Sequence, residues 1–150
     1  MSEPEAPEPT VVDLDGPDDP RWALALPVLR ELRPHLTPEL LRQVATEGAP
    51  QGLRFTALLA GGECVAVAGW RLVANTSAIR KLYVDDLSTA AAHRSRGHGS
   101  TLLRVLTERA RELGCTAIDL DSGVQRVGAH RFYLRERMDI VSHHFTRQLD

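Results

Sequence analysis

This chain has little cysteine, a single lysine and no long apolar run, and each shortage excludes something. Its two cysteines, Cys64 and Cys115, lie far apart. They make no disulfide framework and read as the free thiols of a cytoplasmic protein. Neither has a His/Asp partner in a nearby motif, so no covalent nucleophile is expected. No apolar stretch approaches the roughly 18 residues of a spanning helix, and no signal-peptide core is present, so no membrane partner and no export are expected. No histidine pair has zinc-ligand spacing with an acid or cysteine nearby, so no metal is expected.

Bases are absent from residues 1–20, which hold seven acids: Glu3, Glu5, Glu8, Asp13, Asp15, Asp18 and Asp19. The other 130 residues carry 13 acids against 18 bases, a net of +5, with Lys81 the one lysine. That body suits an anionic small molecule but is too weakly basic for a nucleic-acid partner. A chain of 150 residues makes one domain that buries about two-thirds of its unfolded surface. Residues 1–9 alternate Glu, Ala and Pro, cannot build a core, and are expected to be a disordered tail before a domain over 10–150.

Periodicity then orders the elements. Thr10 to Leu14 is a short strand. Arg21 to Leu32 carries Trp22, Leu26, Leu29 and Leu32 on one stripe, a helix kinked or split at Pro27. Thr37-Pro38-Glu39 starts a second helix, with Thr as N-cap and Pro behind it. Leu53 to Ala60 and Cys64 to Val73 are strands joined by the turn signal Gly61-Gly62. Ile79 to Thr89 is a further strand and Ser100 to Leu113 an amphipathic helix closed by Gly114. Ala117 to Asp121, a helix from Val127 to about Arg137, and a strand from Asp139 to Gln148 complete an α/β domain of order βααβββαβαβ.

Between strand and helix lies Arg94-Ser95-Arg96-Gly97-His98-Gly99, followed by Ser100. Glycines there let the backbone approach a ligand, and the N–H groups of the first helical turn point at it with a favourable dipole for negative charge. Arg94 and Arg96 add fork-shaped donors for phosphate. No Gly-Lys-Ser/Thr follows, so this is not a Walker loop, and two glycines at spacing two do not make a dinucleotide fingerprint.

The pattern R-x-x-G-x-G resembles the pyrophosphate loop of the GNAT superfamily of acyl-CoA-dependent N-acyltransferases. Asp86-Leu87-Ser88-Thr89 upstream resembles the end of that superfamily's central strand, and Ala129-His130-Arg131-Phe132-Tyr133 resembles its A-x-x-F-Y signature. The likeness covers roughly Ile79 to Phe145. It implies one domain around a mixed sheet of six or seven strands flanked by helices. It also implies a cytoplasmic N-acetyltransferase that moves an acetyl group from acetyl-CoA to an unidentified amine by direct attack in a ternary complex. A homodimer is compatible with it. The same motifs also fit a non-catalytic acyl-CoA-binding module that regulates a partner.

The resemblance assigns pyrophosphate to the backbone from Arg94 through Ser95, Arg96, Gly97, His98 and Gly99 to Ser100. It assigns the pantetheine arm to Leu87, Ser88 and Thr89, with the Leu87 N–H as oxyanion donor. Tyr133 is the group that protonates the departing thiolate. His130, one turn before it, lines the cofactor slot. Asp85, Asp86 and Asp121 are the candidate bases, with strand-end capping or pairing to Arg80 and Arg126 as the structural alternative. The superfamily often has Asn where this chain has Arg126, which can still reach a phosphate, and often ends this helix with Gly-Phe where this chain has Met138-Asp139-Ile140.

Overall fold

The structure, a computed structural model, describes residues 7–150, so the predicted tail over residues 1–9 lies mostly outside the described residues. The first strand, β1 (Thr10–Asp13), leads to helices α1 (Trp22–Leu32) and α2 (Pro38–Gly48), then to β2 (Arg54–Ala60), β3 (Glu63–Val73) and β4 (Lys81–Thr89). Helix α3 (His98–Glu112), strand β5 (Ala117–Leu120) and helix α4 (Val127–Arg135) follow. Pro27 sits inside α1 without splitting it. Thr37 caps α2 by accepting from the Leu40 N–H at 3.1 Å, as its side chain and the following proline dictate.

The strands form one sheet in the order β1-β2-β3-β4-β5. The first three pairings are antiparallel, with Val12 opposite Ala57, Thr56 opposite Ala68 and Ser88 opposite Val67. Alternation sends Phe55, Ala57 and Val67 to one face, where they form a cluster with Trp22, Ala25, Val28 and Leu29 of α1. Thr56 points the other way and bonds Arg109 of α3. Leu102, Leu103, Leu106 and Ala110 give α3 its buried stripe. With helices on both faces, β2 and β3 read as near-continuous apolar runs.

Two expectations about the sheet are corrected. Among the described residues it has five strands, not six or seven. No strand forms over Asp139–Gln148, so no strand follows α4. Alternation there would put Ile140, Ser142, His144 and Thr146 on one side and Val141, His143, Phe145 and Arg147 on the other. Neither side is a continuous apolar stripe, so pairing would bury little. Ile140, Val141 and Phe145 are accordingly exposed.

By internal contacts the chain forms two compact units, one up to Asp119 and one over Leu120–Asp150. The first holds the sheet core with α1 to α3, and the second holds α4.

Candidate functional site

The glycine–arginine segment forms a tight turn into α3. Ala91–His93 is a single 3-10 turn, Arg94 is extended, and Ser95 (φ 66°) and Gly97 (φ 79°) take left-handed backbone. A serine held in that region is strained, which marks sites where function fixes the chain. Gly97 is the N-cap, so the helix begins at His98, two residues earlier than its sequence pattern predicts, and His98 and Gly99 belong to its first turn. The first bond into α3 runs from the Thr101 N–H to the Gly97 carbonyl at 2.9 Å. Among the described residues, no backbone N–H from Ser95 through Ser100 has a protein acceptor. That row of donors, at the positive end of a 15-residue helix with Arg94 and Arg96 beside it, fits a pyrophosphate.

Sequence reading missed two residues that brace this turn. His93 Nε2 lies 2.7 Å from Glu63 Oε2, and its Nδ1 lies 3.2 Å from Arg96 Nη1. Arginine can only donate, so Nδ1 accepts and the ring is the Nε2–H tautomer that donates to Glu63. The chain Glu63–His93–Arg96 thus fixes one loop arginine from the start of β3. Only the place of His93 directly before Arg94 hinted at it. The His98 ring stands 6.3 Å from that of His93. Burial first, and then His93 and Arg96 nearby, hold the His98 pKa below its ordinary value, so it is neutral near pH 7.

Strand β4 carries the adjacent acids through a bulge. Its register with β3 steps from Gly69 opposite Asp86 to Trp70 opposite Val84, which leaves Asp85 as the extra residue. The bulge breaks strict alternation and gives each carboxylate its own arginine. Arg71 holds Asp85 with two bonds, at 2.9 and 3.0 Å. Arg33, at the C-terminal end of α1, donates to Asp86 Oδ1 at 2.8 Å. Among the described residues of the first unit, neither pairs with Arg80. Arg80 instead donates to the Leu113 carbonyl at 3.0 Å.

Beyond the acids, Leu87 and Ser88 are buried. The Ser88 hydroxyl donates to the Val28 carbonyl at 2.7 Å and ties the strand to α1. Strand β5 is joined at the start of β4, where the Thr116 N–H donates to the Arg80 carbonyl at 2.9 Å and Lys81 meets Asp119 at 2.9 Å. A four-residue strand anchored there cannot pair with all nine residues of β4. The last residues of β4, with Leu87 and Thr89 among them, present an edge to which an extended arm can add as a strand.

The remaining predicted residues lie in the second unit. Tyr133 on α4 packs edge-on against Phe132 at 5.2 Å between ring centroids. Burial raises its pKa above the ordinary value, against the opposing influence of Arg126, so the phenol stays protonated through neutral pH. His130 Nε2 donates to the Gly123 carbonyl at 2.8 Å and steadies the turn before α4. Asp121 lies 3.7 Å from His144. Among the described residues no cluster of three potential metal ligands occurs, and no helix is long and apolar enough to cross a membrane.

Comparison with known proteins gives these features a family context. Residues 20–138 match the model of the family described as Acetyltransferase (GNAT) family. A relative described as an uncharacterized N-acetyltransferase, YhdJ of Bacillus subtilis (strain 168), is 33% identical over 113 residues, 75% of this chain and 80% of that protein. Among solved structures, aminoglycoside N-acetyltransferase AAC(6')-Iy in complex with CoA aligns with a TM-score of 0.84 over 99% of both chains at 9% identity. A protein from Bacillus halodurans C-125 described as a transcriptional regulator aligns with a TM-score of 0.79 over 94% of this chain and 99% of that one, at 19% identity. At such identities these two structures speak to the fold alone.

Proposed function

This chain belongs to the GNAT acetyltransferase family, and from that premise we propose that it transfers an acetyl group from acetyl-CoA to a primary amine within a ternary complex. The observation that carries the reading is the run of backbone N–H groups from Ser95 to Ser100 without protein acceptors at the start of α3. Those groups, with Arg94 and Arg96, hold the pyrophosphate. The unpaired edge of β4 at Leu87 and Thr89 takes the pantetheine arm, and the Leu87 N–H is the oxyanion donor. Arg126 serves a phosphate, and His130 lines the arm through the turn it braces.

In the reaction the amine nitrogen bonds to the thioester carbonyl carbon, and collapse of the tetrahedral oxyanion breaks the carbon–sulfur bond. Tyr133 gives its hydroxyl proton to the departing thiolate and regains one from solvent. The amine proton goes to a carboxylate or a water next to it. Asp86 suits the role better than Asp85, because Arg71 engages both oxygens of Asp85 while Asp86 meets Arg33 through Oδ1. Asp121 is the third candidate. No cysteine enters the scheme. Burial pushes the Cys64 thiol up to about 11, away from the thiolate a nucleophile needs.

Initial-rate kinetics test the ordering of the chemistry. With an amine that turns over, double-reciprocal plots at several acetyl-CoA concentrations should intersect. Parallel lines would mean an acetyl-enzyme and would overturn direct attack.

A further inference from the structure

The first unit holds a cavity of about 250 Å³ lined by none of the residues assigned above to acetyl-CoA or to the chemistry. It lies where β1 ends and β2 begins, beside the end of α2, and reaches Arg109 on α3. Arg109 is roughly 18 Å along the helix axis from Gly97, at 1.5 Å per residue. The cavity is therefore separate from the anion-binding turn.

Its polar groups are arranged around one indole. The Trp70 Nε1–H donates to Thr56 Oγ1 at 2.9 Å, and the Thr56 hydroxyl donates to Asp13 Oδ1 at 2.7 Å. Arg109 meets Asp13 through Nη1 at 2.6 Å and Nη2 at 3.1 Å. Burial works to raise the Asp13 pKa, but the Arg109 and Thr56 bonds prevail and hold it below the ordinary value. Asp13 is thus ionised and its charge is matched by Arg109. A second cation remains. The Arg54 guanidinium stacks over the Trp70 ring at 5.5 Å and adds a weaker favourable charge to Asp13, but among the described residues no side-chain hydrogen bond or salt bridge holds it. Leu14, Ala45, Leu53 and Phe55 supply apolar walls.

We propose that this cavity is a second small-molecule site, for a monocarboxylate with a compact apolar body. One guanidinium fork, oriented by the indole beneath it, presents two parallel donors to a carboxylate. The apolar walls take the rest of the ligand. The volume is below the usual range for drug-sized ligands, which favours a molecule of the size of a benzoate or a branched short-chain acid. A phosphate dianion is a poorer match, since Asp13 already occupies Arg109 and leaves a single open cation. The inference stands apart from the acetyl-transfer reading and is tested without turnover.

Benzoate and the uncharged benzamide are the probes, titrated against the full chain by ligand-observed NMR with CoA present at saturation. Benzoate should bind with a millimolar Kd or better, and benzamide about tenfold or more weaker, the scale of a lost charged hydrogen bond. Arg54→Met keeps the stem over Trp70 and should weaken benzoate to the same degree. Ala49→Phe, at an exposed position on the rim, should block it by bulk. A melting curve for each variant checks that it is folded. The proposal is overturned by absence of benzoate binding at tens of millimolar or by equal affinity in Arg54→Met. Displacement of benzoate by CoA would also overturn it, by placing the probe in the acyl-CoA groove.

Discussion

Replacing Gly97 by alanine separates the anion-binding role of the turn from its part in the fold. Gly97 has φ 79°, and a Cβ built on it meets nothing within 4 Å. The cost to folding is therefore backbone strain alone, about 1–2 kcal/mol for an alanine in left-handed conformation. In a chain of this length that lowers Tm by roughly 2–8 °C, at about 2–4 °C per kcal/mol. Gly52 supplies a matched control, with φ 84° and equally open space around its Cβ. Gly52→Ala carries the same strain in the loop between α2 and β2, away from the turn into α3. If the N–H groups from Ser95 to Ser100 hold pyrophosphate, distorting their cap costs at least one charged hydrogen bond, about 1.5–3 kcal/mol, or tenfold to a hundredfold in Kd. Calorimetric titration with acetyl-CoA should show that loss in Gly97→Ala and little change in Gly52→Ala. Equal affinities in both variants and the wild type would refute the assignment.

Further expectations follow from other parts of the molecule. Tyr133→Phe keeps the ring packed on Phe132 and should lower kcat by about 10²–10⁴-fold with acetyl-CoA affinity little changed, as steady-state rates and calorimetry would show. Because burial raises the Tyr133 pKa, the alkaline fall in kcat due to its ionisation should lie above the ordinary phenol value of about 10; a fall centred below that in wild type but not in a Tyr133 variant would contradict the burial. Asp19, almost fully buried, accepts from the Asp15 and Arg21 N–H groups and the Arg21 guanidinium, so Asp19→Asn should cost about 2–4 kcal/mol at pH 7 by denaturant unfolding. Those bonds hold its folded pKa below the unfolded value of about 3.9, so the deficit should be complete above that pH and shrink as pH falls below it. Leu106→Ala removes a fully buried side chain of α3 and should cost about 2–5 kcal/mol in the same measurement.

What was legible in the sequence is what local chemistry dictates. The glycine spacing before α3 announced a tight turn into a helix start, because left-handed backbone favours glycine there. Thr37-Pro38 and Gly61-Gly62 marked a cap and a hairpin for the same reason. Asp85 and Asp86 stood out as adjacent acids, but neither the bulge between them nor their partners could be read there, since Arg71 and Arg33 lie on β3 and at the end of α1 and no local rule connects them. The Glu63–His93–Arg96 brace and the Asp13–Thr56–Trp70–Arg109 network were hidden likewise, since each forms only when distant strands and helices meet. No strand closes the chain, because the β-branched and aromatic residues Val141 and Phe145 suggest one while pairing also needs a continuous apolar face that this segment lacks.

Acetyl transfer itself is tested most directly by incubating the full chain with acetyl-CoA and a panel of primary amines, an aminoglycoside and a polyamine included. Thiol release and the mass of the amine product are read together. At least one amine should gain a single acetyl group, with CoA released in equal amount and far faster than without amine. Tight binding of acetyl-CoA with no amine-dependent release across the panel would contradict it and leave a non-catalytic acyl-CoA-binding module in its place.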